Sequence, residues 1–361
     1  RKDALERNLL RMKNFVDERN TNDKRLLLRP HAKTHKCPAL AKLQIEKYGA
    51  VGICCQKLDE AEPMIDAGIH DVFITSMIIG DKKITRLCDM AKRGKISVTV
   101  DDLNNVRELS KYASNAGVCI GVLIEINGGQ NRCGIDIYQN KDECIKIAQE
   151  ISASPGLQFK GIHCYGGFLQ HMRGVSDRTD AVLKQPVACA QLAVTALKTA
   201  NITCDIVTGA GTGTYTMETA GGVHNELQPG SYCFMDVDYA ANDDGKDTFE
   251  HALFVHTMVI SKAGDPQRAI VDAGMKAVSH DSGPPVLLTG LLDGNNIATS
   301  VVCTNGGDEH GIMTGSQCKQ LCVGDTVRLL PGHIDPTVNM HHYLIIVDTI
   351  ETENTDSGIE C

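Results

Sequence analysis

The stretch RPHAKTHK, residues 29–36, places Lys33 between two histidines, directly after the apolar run Leu26–Leu28. A lysine is mostly a solvated surface residue, but a lysine amine at the end of a buried strand can form a Schiff base with a carbonyl compound. A second stretch, VTGAGTGTY at residues 207–215, is a glycine-rich turn. If it opens a short helix, its backbone N–H groups can bind a phosphate. Taken separately, each stretch is equally typical of an ordinary loop.

A third stretch, PGHIDPTVN at residues 331–339, contains the pair His333-x-Asp335. On an extended strand, two residues spaced in this way point to the same side. An imidazole and a carboxylate there could bind one divalent cation, with water in the remaining positions. The sequence therefore predicts a strand that carries a metal-binding pair.

Eight β-rich apolar runs alternate with segments of helical periodicity, such as residues 101–117, in which Leu103, Val106, Leu109 and Tyr112 fall near one face. The runs are Leu26–Pro30, Val51–Cys55, Asp71–Ser76, Lys95–Val100, Cys119–Asn127, Phe159–Gly167, Cys204–Thr208 and Glu226–Asp236. This alternation predicts a (β/α)8 barrel of the TIM type.

A barrel of this kind binds its substrate at the carboxyl ends of the strands, and often binds phosphate after strands seven and eight. Lys33 follows the first run, Arg132 the fifth, and the glycine-rich turn the seventh. The sixth run leads into HCYGGFLQH, which contributes His163, Tyr165, Gln170 and His171. A lysine and a phosphate-binding turn at one barrel mouth predict pyridoxal 5′-phosphate (PLP) held as a Schiff base.

After Asp238 the pattern changes to short β-type runs separated by Gly, Pro and Asp turns, with few helical segments. This pattern is typical of an all-β domain. We therefore expect a barrel over residues 1–238 and a β domain over residues 239–361 that carries the metal ligands. The transition falls within residues 236–247.

Composition narrows the class of protein. The chain has 361 residues, of which 42% are hydrophobic and 22% charged, and a formal net charge of −9. The absence of an apolar run near 18 residues, or of a signal peptide, predicts a soluble protein, and the acidity argues against nucleic acid or an anionic membrane as partner.

Fifteen cysteines without a C-x-x-C pair predict thiols in a reducing compartment, such as cytoplasm, stroma or matrix. The start at Arg1 is consistent with a lost native N-terminus.

Six motifs in this order, RPHAKTHK, YGGFLQH, GAGTGTY, ELQPGSY, VDAGMKAVS and PGHIDPTVN, resemble those of the D-threonine aldolases, which are fold-type III, alanine-racemase-like PLP enzymes. The resemblance extends from Ala4 over essentially the whole chain. It implies an N-terminal barrel, a C-terminal β domain and a homodimer. It also implies that Lys33 is the Schiff-base lysine.

The resemblance further implies roles for individual residues. Arg132 is expected to contact the phenolic oxygen of PLP and Tyr165 to lie near its pyridine nitrogen. The phosphate is expected to be held by Gly211, Thr212 and Gly213, with Tyr232 as a neighbour. His333 and Asp335 are expected to bind Mg²⁺ or Mn²⁺.

The implied reaction is the retro-aldol cleavage of D-threonine, or of a related D-β-hydroxy-α-amino acid, to glycine and an aldehyde. The cation lowers the pKa of the β-hydroxyl, and His171 removes the hydroxyl proton. His31, His35 and His163 remain alternatives for this base.

Three other functions stay open at this stage. A dehydratase of the same fold, acting on D-serine or D-threo-3-hydroxyaspartate, would resemble this chain but carry His-x-Cys where this chain has Asp335. An amino-acid racemase would require a separate tyrosine base, and none stands out. A non-catalytic PLP-binding homeostasis protein would resemble the barrel alone.

Overall fold

The computed structural model describes residues 1–21, 25–243, 249–289, 296–297, 301–347 and 357–360. The chain divides into two compact units. The barrel unit comprises Met12–Lys33 and Cys37–Gly230, and the β unit comprises Arg1–Arg11, Thr34–Lys36 and the described part of Ser231–Cys361. The predicted boundary after residue 238 stays a prediction, and residues 244–247 of the expected transition lie outside the described residues.

In the part of the chain that the structure describes, eight parallel strands form the sheet of the barrel unit. They are β1 (Leu27–Leu28), β2 (Ile53–Cys55), β3 (Asp71–Ile74), β4 (Lys95–Val100), β5 (Ile120–Asn127), β6 (Leu157–Tyr165), β7 (Ile206–Gly209) and β8 (Glu226–Leu227). Strands β2 to β8 pair in chain order and β8 pairs with β1. An isolated parallel bridge between His31 and Cys54 closes the last seam, where the Cys54 N–H donates to the Pro30 carbonyl at 2.8 Å. The predicted (β/α)8 barrel is confirmed.

Helices follow the strands and cover the outside of the sheet. After the N-terminal α1 (Lys2–Asp17) they are α2 (Pro38–Glu46), α3 (Leu58–Asp66), α4 (Asp81–Ala91), α5 (Leu103–Ala116), α6 (Lys141–Ala153), α7 (Val175–Val182), α8 (Ala188–Thr199) and α9 (Tyr215–Ala220). In α5 the Asp102 side chain accepts two first-turn N–H groups, and Gly117 ends the helix at a φ of 67°. Val106, Leu109 and Ala113 form its buried face, in agreement with the periodicity.

A β-bulge interrupts β6. Phe159 pairs with Val122 of β5, but Gly161 pairs with the next residue of β5, so Lys160 is an extra residue. Gly161 has a φ of 143°, and a Cβ atom there would lie 1.9 Å from the carbonyl oxygen of Ile206. Only glycine fits this position, because the backbone of β7 occupies the space a side chain would need.

The bulge reverses which side chains of β6 face the barrel interior. Before it, Phe159 packs with the helices in the main core, and after it Ile162 and Cys164 take that face. His163 and Tyr165 therefore point into the barrel. If Lys160 were instead a regular member of the ladder, with no bulge, the two-residue period of a strand would place His163 and Tyr165 on the outer face with Phe159.

The β unit contains a seven-stranded antiparallel sheet, as far as it is described, in the order β12-β11-β15-β9-β10-β14-β13. The strands are β9 (Val255–Ser261), β10 (Arg268–Val271), β11 (Val286–Thr289), β12 (Asn296–Ile297), β13 (Val301–Asn305), β14 (Gly311–Gly315) and β15 (Thr326–Leu330). A separate pair joins β16 (Tyr343–Ile346) to β17 (Ser357–Glu360), and two short helices are α10 (Val237–Ala240) and α11 (Ile334–Val338). The predicted C-terminal β domain is confirmed.

The expected eighth strand, Glu226–Asp236, is wrong beyond Leu227. Pro229 has no N–H for a strand ladder, although its carbonyl accepts the His31 N–H at 3.1 Å. The chain then forms the 3₁₀ turn Ser231–Cys233.

Two further properties concern the whole described chain. No helix within it is long and apolar enough to cross a membrane. Its cysteines are thiols rather than disulfides.

Candidate functional site

Lys33 stands in the 3₁₀ turn Ala32–Thr34, directly after the seam between β1 and β2. The ring of His31 holds this turn. Its Nδ1 accepts the Lys33 backbone N–H at 3.3 Å, and its Nε2 lies 3.1 Å from the hydroxyl oxygen of Thr75. Nδ1 of His31 thus contacts the backbone of Lys33, while Nε2 ties the same ring to Thr75, which gives a reason for a histidine two residues before the lysine.

The loop after β5 brings Arg132 close to Tyr165, the last residue of β6. The guanidinium carbon of Arg132 lies 5.9 Å from the ring centroid of Tyr165, within the range of a cation–π contact. The Asn127 side chain bends the first loop back by accepting the backbone N–H of Asn131 at 3.1 Å. The Gly167 N–H then donates to the side chain of Gln130 at 3.0 Å, which ties the two loops together.

The glycine-rich turn lies between β7 and α9. The Gly211 N–H donates to the Thr214 hydroxyl at 3.2 Å, and the Gly213 N–H donates to Oε1 of Gln170 at 3.0 Å. A Cβ atom on Gly211 would lie 2.3 Å from the same Gln170 oxygen, so a side chain has no room there. A phosphate at Gly213 would have to share or replace the Gln170 contact, and the roles of Gly211, Thr212 and Gly213 stay predictions.

A buried carboxyl group lies behind this turn. Thr214 donates its hydroxyl to Glu218 of α9 at 2.6 Å, and it also accepts from the Gln170 amide at 2.8 Å. Burial raises the pKa of Glu218 to about 8, against the opposing effect of the Thr214 hydrogen bond. Glu218 is therefore mostly uncharged at neutral pH, and adds little negative charge next to the predicted phosphate site.

Sequence reasoning missed a polar network inside the barrel. Arg29 donates to Glu226 at 3.1 Å and to Asp71 at 2.6 Å. Burial alone would lower the pKa of Arg29, but the two carboxylates raise it. The hydroxyl of Thr208 donates to the other oxygen of Glu226 at 2.9 Å, and the Gln228 amide donates to Thr208 at 2.7 Å. Both oxygens of Glu226 therefore accept hydrogen bonds, and the directions of the next bonds in the network follow from this.

A hydrogen bond between His163 and Glu125 ends this network. Because the amide nitrogen of Gln228 faces Thr208, its oxygen faces Nε2 of His163 at 3.1 Å, so Nε2 must carry hydrogen. Nδ1 of His163 lies 2.5 Å from Glu125, an arrangement that needs a proton on one of the two groups. The one feature of the sequence that indicated this network was Glu125, a charged residue inside the apolar run CIGVLIEIN.

His171 follows the 3₁₀ turn Gly167–Leu169 that succeeds β6, and it is half-buried. Tyr232 belongs to the β unit, where it is fully buried and packs edge-to-face on Phe249 with the ring centroids 5.6 Å apart. Their expected contacts, with the β-hydroxyl and the phosphate, stay predictions.

His333 and Asp335 do not lie on a strand, so that expectation is wrong. Pro331 and Gly332 follow the end of β15, and the next residues form α11, with His333 as its N-cap and Asp335 in its first turn. The pair therefore sits at the start of a short helix.

A buried carboxylate fixes this helix start. Asp236 accepts the Ile334 N–H at 3.0 Å and the Tyr239 N–H at 2.9 Å. Burial raises the pKa of Asp236 to about 6, and the charges of His333 and Asp335 act on it in opposite directions. Both predicted ligands thus lie within electrostatic reach of one buried carboxyl group.

The donor set of the β unit fits a hard divalent cation with two protein ligands, an imidazole and a carboxylate, and with water completing the coordination. Among the described residues no group of three or more His, Cys, Asp or Glu side chains is arranged to hold a metal. An ion at His333 and Asp335 would therefore depend on water for most of its ligands.

In the barrel unit, the residues present also fit PLP. A half-buried lysine ends β1, the Arg132–Tyr165 pair stands past β5 and β6, and a turn that excludes a side chain at Gly211 follows β7. The carboxyl ends of parallel strands meet at one mouth of a barrel. The barrel thus places an amine, a cationic group and a glycine-rich turn at the same mouth.

Two family models match the amino-acid sequence. Residues 1–238 match "Alanine racemase, N-terminal domain", and residues 252–347 match "Putative serine dehydratase domain".

The proteins and crystal structures that are similar to this chain include three aldolases. The D-threonine aldolase of Arthrobacter sp. is 39% identical over 347 residues, which cover 95% of this chain and 86% of the relative. The 3-hydroxy-D-aspartate aldolase of Paracoccus denitrificans (strain Pd 1222) is 39% identical over 350 residues, with the same 95% and 86% covered. The crystal structure of D-threonine aldolase from Filomicrobium marinum aligns with a TM-score of 0.87 at 39% identity, covering 95% of this chain and 88% of that one.

Proposed function

We propose a reaction for this chain from the premise that it belongs to the D-threonine aldolase family of lyases. In this proposal the protein cleaves D-threonine to glycine and acetaldehyde, with PLP and either Mg²⁺ or Mn²⁺. Related D-amino acids with a β-hydroxyl group are proposed as further substrates, since the named relatives act on D-threonine and on 3-hydroxy-D-aspartate. Because the family consists of lyases, the hypothesis of a non-catalytic PLP carrier is set aside. A homodimer in a reducing compartment, without nucleic acid or membrane as partner, stays part of the proposal.

The placement of Lys33 is the observation that carries the proposal. A barrel seam, a 3₁₀ turn and the ring of His31 together hold its backbone at the mouth where Arg132 and Tyr165 also stand. A lysine needed only for solubility would not require a buried histidine to fix its N–H. Lys33 is therefore proposed to hold the cofactor carbonyl through Nζ, with Arg132 near the phenolic oxygen and Tyr165 near the pyridine nitrogen.

Bound PLP would supply an electron sink for the Cα–Cβ bond, and a bound cation would supply Lewis acidity toward the β-hydroxyl oxygen. His171 is proposed to accept the hydroxyl proton. The structure supports this choice over two alternatives, because both ring nitrogens of His31 and of His163 are already engaged in the barrel. His35 is almost fully buried, which limits its access to substrate.

Product analysis tests the proposal. Purified protein supplied with PLP and Mn²⁺ should release acetaldehyde and glycine in equal amounts from D-threonine, and chelation should stop the release. Formation of a 2-oxo acid and ammonia from D-serine or D-threonine, without aldehyde, would contradict it.

Asp335→Ala should separate metal binding from cofactor binding. We expect this variant to keep the PLP absorbance but to lose roughly a thousandfold or more in turnover, because the cation loses one of two protein ligands and several kcal/mol of charge stabilisation with it. An Asp335 variant with parental turnover in the presence of chelator would show that the reaction needs no cation at this pair.

A dehydratase is the second candidate, and one observation favours it: residues 252–347 match the model described as a putative serine dehydratase domain. The residue at position 335 argues the other way, since a thiolate there would favour zinc, and this chain has Asp335. The product analysis above distinguishes the two reactions directly.

A further inference from the structure

We propose that Asp281 is a positioning residue for the metal site, and that it sets the tautomer and the orientation of the His333 ring. This inference rests on the proposed function, because it assumes that His333 binds a divalent cation. It adds a carboxylate–histidine pair to the metal site, with Asp281 in contact with the ligand and not with the metal.

The hydrogen bond between the two side chains fixes the proton on the ring. Oδ2 of Asp281 lies 2.8 Å from Nδ1 of His333. A carboxylate can only accept, so Nδ1 must carry hydrogen. In the neutral ring the lone pair is then on Nε2, which becomes the atom that donates to a cation. Carboxylate partners of this kind orient metal-binding histidines and increase their basicity.

Asp281 is itself held in place, as a positioning role requires. Ser279 donates its hydroxyl to the other oxygen of Asp281, Oδ1, at 2.6 Å. The backbone N–H of Ser279 donates to the hydroxyl oxygen of Thr337 at 3.1 Å, and that hydroxyl donates to the His333 carbonyl at 2.7 Å. Hydrogen bonds therefore connect four residues in a closed cycle: Asp281, Ser279, Thr337 and His333. This cycle of hydrogen bonds joins the turn of Asp281 to α11.

The exposure of the pair separates this role from a purely structural one. The side chain of Asp281 is 52% exposed and that of His333 is 24% exposed. A solvent-accessible contact between a carboxylate and an imidazole contributes little to folding, so removal of Asp281 should leave the protein folded. A loss of metal affinity without a loss of folding is then the signature of a positioning residue.

The experiment measures Mn²⁺ binding to metal-stripped full-length protein, by the electron paramagnetic resonance signal of free Mn²⁺. Asp281→Asn should weaken binding by about 10- to 100-fold, because an amide can donate to Nδ1 and so favour the tautomer with hydrogen on Nε2. Asp281→Glu should restore part of the affinity, and Ser279→Ala should weaken it less than Asp281→Asn. Asp308→Asn is the matched control, since it removes one exposed aspartate that pairs with Lys276 instead of a histidine, and it should leave the affinity unchanged.

A second measurement reads the ring directly. In metal-free protein labelled with ¹⁵N-histidine, long-range ¹H–¹⁵N spectra should show His333 protonated on Nδ1 in the parent and shifted toward Nε2 in Asp281→Asn. Parental Mn²⁺ affinity in Asp281→Asn, or an unchanged His333 ring, would overturn the inference. Mn²⁺ affinity that survives His333→Ala would instead overturn the proposed metal pair, and the inference with it.

Discussion

Glu218 gives a prediction about stability that needs neither cofactor nor substrate. It is fully buried in α9, and burial raises its pKa from 4.5 to about 8. In this interval the native protein holds a proton that the unfolded chain has released. Since stability falls with pH wherever the native state binds more protons than the unfolded state, Glu218 should destabilise the fold progressively as the pH rises from about 4.5 to about 8.

Glu218→Gln removes this titration and keeps the oxygen that accepts from Thr214. Each pH unit within the interval corresponds to about 1.4 kcal/mol. Between pH 5.5 and pH 7.5 the free energy of unfolding of the variant, relative to the parent, should therefore rise by about 3 kcal/mol.

Urea unfolding of the cofactor-free protein at the two pH values measures this difference. Groups that titrate in both the variant and the parent contribute equally to the two free energies of unfolding, so their contributions cancel. The exposed Glu143→Gln is the matched control, and its stability relative to the parent should change little with pH. Equal pH slopes for Glu218→Gln and the parent would show that Glu218 is ionised in the native state, and would refute the argument from burial.

Three other outcomes are expected from the barrel unit. Borohydride reduction of the PLP-loaded protein, followed by peptide mapping, should place the label on Lys33, and a label on a neighbouring lysine would contradict its assignment. Gly213→Val should raise the dissociation constant for PLP, measured by absorbance, more than it lowers the melting temperature, whereas unchanged PLP affinity would count against the predicted phosphate site. Glu226→Ala should cost about 3–5 kcal/mol in urea unfolding, because it leaves a buried guanidinium with one carboxylate partner. By comparison Glu150→Ala, which breaks an exposed pair with Arg107, should cost at most about 1 kcal/mol.

The barrel could be predicted from the sequence because its signal is local. Runs such as Lys95–Val100 are apolar over the length of one strand, and helices such as α5 repeat their apolar residues with the helical period. The strand assigned to His333-x-Asp335 failed because a two-residue spacing is also compatible with a helix start, and Pro331-Gly332 ends β15 just before it.

Most of what positions the site could not be predicted, because it depends on contacts between residues far apart in the chain. Glu218 looks like an ordinary helical glutamate until its burial is known. Asp281 lies 52 residues from His333, and nothing in its neighbourhood marks it as the partner of that ring. The same holds for Glu226, which is 197 residues from Arg29. Such partners are set by tertiary structure, whereas Lys33 could be proposed from the sequence because its strand and its turn are adjacent in the chain.

The strand beyond the bulge in β6 is also unusually sensitive to changes of length. Deleting Lys160 would only remove the bulge, because Phe159 would still pair with Val122 and Gly161 with Leu123. Deleting Ile162 would change the composition equally little, but strand alternation would then turn His163 and Tyr165 out of the barrel and Cys164 into it. Such a one-residue deletion should thus abolish function as completely as losing a catalytic group. Length variation in relatives of this chain should accordingly be tolerated in the loops but excluded from the residues between Gly161 and Tyr165.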